Sequence, residues 1–144
     1  MNYDREQLKT DLRHREGVRH KPYQDGLNVW TVGVGHNMTN PISERAVCVI
    51  LEDDIAQAER DLEQTIPTWK QADATRQRVM MHLSFALGLP NLRKFIKMRA
   101  AIRCENWNAA AVELLDSDWA REVGNGTGQR AHELAEMLRR GDAG

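Results

Sequence analysis

Residues 17–36 constrain this chain most: they are patterned at two-residue spacing, and the stretches on either side are patterned at three and four. His20-Lys21-Pro22-Tyr23 reads as extended, because Pro22 disfavours helix at Lys21. Asp25-Gly26 is a turn signal that Leu27-Asn28 prolongs. Val29 to His36 then reads as one strand of β-branched and aromatic residues. Its alternation puts Val29, Thr31, Gly33 and Gly35 on one face and Trp30, Val32, Val34 and His36 on the other. A face with one hydroxyl beside two bare positions points to close approach of a ligand or another backbone.

Helical patterns surround this segment. The first runs from about Asp4 to Glu16, with Asp4 as N-cap, Gln7 three residues on, and Leu8 and Leu12 as a narrow apolar stripe. Gly17 closes it, because glycine tolerates a left-handed backbone at a helix C-terminus. After Ile42, Ser43 is a natural N-cap, and Val47, Leu51, Ile55, Ala58 and Leu62 recur at helical spacing until Pro67. Further patterns cover Asp73 to Leu87, Asn91 to Arg103 and Asn106 to Leu115, with a short element around Trp119 to Val123. Gly124-Asn125-Gly126-Thr127-Gly128 reads as a loop before a final helix from Gln129 to Arg139. The expectation is an α+β chain, mostly α, built as one domain of 144 residues. A small β lobe would span about 17–42 and a connecting helix about 43–66. A helical lobe would take about 67–144 together with the N-terminal helix.

Composition removes several function classes. A formal charge of −1 argues against a dedicated nucleic-acid binder, despite Arg13, Arg15, Arg19 and Lys21 lying close together. The longest aliphatic run, Ala46 to Leu51, is far shorter than a bilayer span. The opening Met-Asn-Tyr-Asp-Arg-Glu lacks the apolar stretch of a secretory signal, so the expectation is a chain left in the cytoplasm. Cys48 and Cys104 fall inside helical patterns and fit reduced, buried thiols better than a bridge. The five histidines show no metal-ligand spacing, and no metal or cofactor is expected.

Glycoside hydrolysis needs a protonated acid on the leaving oxygen and a second group that handles water or stabilises the cationic transition state. Glu16 at a helix end, Asp25 in a turn and Thr31 on a glycine-flanked strand face offer such a set. Singly, each has a plainer reading, as a surface carboxylate, a hairpin residue and a strand former.

Together they carry a resemblance. Arg15-Glu16-Gly17-Val18-Arg19-His20-Lys21-Pro22-Tyr23-Gln24-Asp25-Gly26, followed by Val29-Trp30-Thr31-Val32-Gly33-Val34-Gly35-His36, closely resembles the catalytic segment of the phage-type lysozymes. The family's Glu-Gly, its Asp nine positions later and its Thr six further on match Glu16, Asp25 and Thr31, and its Thr-x-Gly-x-Gly-His closes on His36. A weaker likeness extends through Phe85 with Gly88, Trp107, Trp119 and Gly128-Gln129-Arg130.

The resemblance implies a lysozyme-like fold and a muramidase that cuts peptidoglycan with Glu16 as acid and Asp25 and Thr31 on the water. It implies Gly33, Gly35, Phe85 and Arg130 at the sugar, with His36 supporting the strand from behind. It further implies an endolysin, released from the cytoplasm through a membrane opened by a separate holin-like protein. A monomer is expected, since a cleft for a polymer needs no partner chain.

Two departures stand out: few residues separate His36 from Ser43, and Ala86 follows Phe85 where relatives commonly carry an amide. They predict a small β lobe and a missing sugar contact. A lytic transglycosylase and a non-catalytic peptidoglycan-binding protein remain the alternatives at this point.

Overall fold

The computed structural model describes residues 2–122 and 127–143, and the chain divides into two compact units, Met1–Val47 and Cys48–Gly144. The first unit opens with helix α1 (Arg5–Glu16). Asp4 caps it, its Oδ1 accepting from the amides of Glu6 at 3.0 Å and Gln7 at 3.1 Å. That satisfies two of the amide donors that a helix start leaves unpaired. The chain turns out of the helix at Gly17, whose φ of 77° suits a residue without a Cβ. No residue of α1 is buried, and Leu8 and Leu12 are each 40% exposed, so the expected stripe is only partly covered.

A three-stranded antiparallel sheet follows in the order β1 (Arg19–Gln24), β2 (Trp30–Gly33), β3 (His36–Asn37). Tyr23 pairs with Thr31 and Thr31 with Asn37, so the central threonine has a partner on each side. The single strand expected from Val29 to His36 is therefore two strands with a reversal between them. Gly33 and Gly35 have φ of 69° and 66°, left-handed values that turn the chain back instead of continuing it. Gly33 ends β2 two residues after Thr31, whereas Gly35 lies in the reversal, so the expected shared face does not extend to Gly35. His36 nonetheless lies opposite Thr31, because it pairs with Val32, and paired residues project to the same face.

Helix α2 (Glu44–Thr65) starts at the end of the first unit and runs into the second. Ser43 Oγ accepts from the Ala46 amide at 3.1 Å, the expected cap. Ala58 and Leu62 are buried, whereas Val47 and Leu51 remain exposed. Helix α3 (Ala74–Lys94) is broken at Gly88, where φ is 73° and ψ is 168°, and resumes with Pro90 in its next turn. Asn91 belongs to this resumed turn. The helix expected from Asn91 to Arg103 is thus divided at Phe95, and α4 covers Ile96–Arg103. Helix α5 (Trp107–Leu115) is capped by Asn106, α6 (Asp118–Arg121) by Ser117, and α7 spans Thr127–Arg140. Of the expected loop at 124–128, residues 124–126 lie outside the described residues, as does Val123. Residues 127–128 already belong to α7.

The second unit holds the core, in which Leu62, Ile66, Met80, Leu83, Leu92 and Leu114 are essentially inaccessible to solvent. Ala110 and Ala111 are buried on α5, whose small side chains let α7 pack closely against it. Arg76 ties α3 to the end of α7. It donates to the carbonyls of Leu138 and Arg139 at 2.7 Å, and its guanidinium lies 4.5 Å from the Trp107 ring centre. Cys48 and Cys104 form no disulfide and are both exposed, contrary to the buried thiols expected. Cys48 lies on a stretch of α2 whose neighbours Val49 and Ile50 are also exposed, and Cys104 is the residue that ends α4. Among the described residues, no helix is long and apolar enough to cross a membrane.

Candidate active site

In the first unit, the three residues singled out for chemistry are held by three different local devices. Glu16 is the last residue of α1, and its exposed side chain meets the β2–β3 reversal. A Cβ placed on Gly35 would stand 3.3 Å from Glu16 Oε2 and 3.7 Å from the Glu16 Cβ and Cγ. A side-chain carbon at this turn would therefore meet the carboxylate.

Asp25 closes the β1–β2 hairpin. Its Oδ1 accepts from the amide of Leu27 at 2.8 Å and from that of Val29 at 2.9 Å. Its own amide donates to the Val29 carbonyl at 2.9 Å, and Asn28 takes the left-handed φ of 62° that completes the turn. One carboxylate oxygen is spent on the backbone, which fixes the side chain and leaves the second oxygen with its lone pairs.

Thr31 sits in the central strand, 5% exposed. Its hydroxyl donates to the Val29 carbonyl at 2.9 Å. The donor proton is used and the oxygen's acceptor capacity is not. Val29 therefore anchors both side chains, through its amide to Asp25 and its carbonyl to Thr31. The sequence reading did not single out Val29 for this role. An Asp followed by a Gly and an Asn in a tight turn was the available signal, since aspartate bonds the amide two residues on.

The second unit gathers Phe85, Ala86 and Arg130 at one cavity of about 500 Å³, with Leu51, Met81 and Trp119. Phe85 is 48% exposed, and the Arg130 guanidinium lies 5.9 Å from the Trp119 ring centre. Gly33 has nothing within 4 Å of where a side chain would begin. His36 is exposed at the head of β3. Among the described residues, no group of three histidine, cysteine or acidic side chains is placed to hold a metal ion.

The chain is similar to several known proteins. The phage lysozyme family model matches residues 13–141. Probable T4-type lysozyme 2 of Dictyostelium discoideum is 25% identical over 142 residues, covering 78% of this chain and 84% of its own length. Probable T4-type lysozyme 1 of the same organism is 24% identical over 148 residues, covering 82% and 87%. The pre-baseplate central spike protein Gp5 of Enterobacteria phage T4 is 25% identical over 141 residues, or 78% of this chain. The match spans 24% of that much longer protein.

Proposed function

The chain belongs to the phage lysozyme family of peptidoglycan-acting glycoside hydrolases, and on that premise we propose that it cleaves the β-1,4 bond between N-acetylmuramic acid and N-acetylglucosamine with inversion. Glu16 delivers its proton to the glycosidic oxygen as the bond breaks. The attacking water donates one hydrogen to the unspent oxygen of Asp25 and the other to the Thr31 hydroxyl oxygen. Its lone pair then faces the anomeric carbon, and Asp25 takes the proton released. The observation that carries this reading is the division of hydrogen bonds around Val29, which immobilises Asp25 and Thr31 and leaves an acceptor on each. A water bound by two acceptors is oriented, and orientation is where much of the barrier to a two-molecule reaction can be removed.

We extend the reading to Phe85 and Arg130 as sugar contacts and to His36 as a support for the sheet. In the cell the enzyme acts as a monomeric endolysin, made in the cytoplasm and admitted to the wall by a separate holin-like protein. The likeness of residues 15–36 to such enzymes supports that role.

Glu16→Gln tests the core of the proposal. The amide matches the carboxyl group in size and cannot donate an acidic proton, and general acid catalysis contributes about 100- to 10,000-fold. Lysis of chloroform-permeabilised Gram-negative cells should fall by that factor while the thermal melt stays in place. A folded variant with wild-type lysis would remove Glu16 from the role.

A further inference from the structure

The β2–β3 reversal does more than join two strands. Gly33 and Gly35 both adopt left-handed φ, at 69° and 66°, so the backbone asks for glycine at both. Their surroundings differ. Space is open over Gly33, whereas a first side-chain carbon at Gly35 would meet Glu16 at its Oε2, Cβ and Cγ. The turn therefore forms a wall against the side chain of the last residue of α1. That residue follows no other constraint among the described hydrogen bonds and ion pairs, and α1 buries none of its residues.

We propose that Gly35 is a positioning residue that sets where the Glu16 carboxyl group stands, by leaving room for it at the turn and nowhere nearer. The inference rests on Glu16 being the general acid. It differs from reserving the glycines for sugar, because the space at Gly35 is already bounded by a protein carboxylate. At 3.3 Å from Oε2, a methyl group forces the carboxylate to move by a few tenths of an ångström and strips solvent from one oxygen. Displacement weakens proton delivery.

The test compares Gly35→Ala with Gly88→Ala, a left-handed glycine with open space beside it, in the full chain, alongside Glu16→Gln, on purified peptidoglycan. Both alanine variants carry the same left-handed strain, so they should lose thermal stability together. Only Gly35→Ala should lose about tenfold in kcat with little change in KM, an order of magnitude set by sub-ångström misplacement of a reacting group. Gly35→Asn provides the same carbon with less backbone strain and should show the same signature if the alanine variant does not fold. A loss confined to KM would mean that the side chain had displaced sugar, and would overturn the inference. So would equal kinetics for the two alanine variants. A folded, active Glu16→Gln would instead overturn the reading of Glu16 itself, a separate failure seen in a separate variant.

Discussion

The two compact units are stabilised by different physics. In the first, Thr31 is the only buried side chain among the described residues, and local order comes from caps, turns and backbone pairing. In the second, α3, α4, α5 and α7 close over a continuous apolar cluster that includes Leu62, Met80, Leu83, Leu114 and Leu138. Hydrogen bonds are directional and apolar burial is not, and the candidate water-holding residues lie where direction is controlled. The helical unit supplies bulk stability. The sheet unit places single atoms.

That contrast predicts a separation of effects. Glu16→Gln should remove activity and leave the melt unchanged. Its counterpart is Leu83→Ala, which empties a fully buried site on α3 and should cost about 2–5 kcal/mol. Chemical denaturation would show the loss, while the activity of the molecules still folded should stay near wild type. A collapse of specific activity in the folded Leu83→Ala protein would break the distinction between the units.

A smaller effect sharpens it at the end of the helical unit. Asp142 accepts from the Thr75 amide at 3.0 Å, and its own amide donates to Asp73 Oδ2 at 2.9 Å. Hydrogen bonds from the Thr75 side chain and amide hold the Asp142 carboxyl below its ordinary range. A carboxylate whose folded value is depressed stabilises the fold above its unfolded value, and loses that contribution as pH falls through the folded one. Wild type should therefore melt slightly above Asp142→Asn at neutral pH, and the gap should close on acidification below about pH 4. A gap that persisted at low pH would mean that the carboxylate's charge contributes nothing to the contact.

Much of the helical unit was legible because its signals are local. The patterns ending at Leu87 and starting at Asn106 meet the break at Gly88 and the cap at Asn106, where single residues set the boundary by their own chemistry. The division at Phe95 was not legible: neither glycine nor proline stands there, and the apolar spacing runs through it. Cys48 was misread because periodicity identifies a helix face without saying what covers it. In the sheet unit, Asp25-Gly26 marked its turn. Thr31 to His36 did not reveal a reversal, because alternate glycines fit the face of a strand as well as the bend of a hairpin. The proximity of Gly35 to Glu16 joins residues far apart in sequence, and no local pattern encodes it.

The most direct measurement of the proposed chemistry is the stereochemistry of the first product. A water held by Asp25 and Thr31 on the face opposite the acid attacks once and inverts the anomeric carbon. Proton NMR early in peptidoglycan digestion should show the α-anomer of the new reducing end before mutarotation, with product masses that include a full added water. Initial β-anomer would make Asp25 a nucleophile instead of a water holder. Anhydro ends would mean that no water attacks at all, and either result would contradict the mechanism.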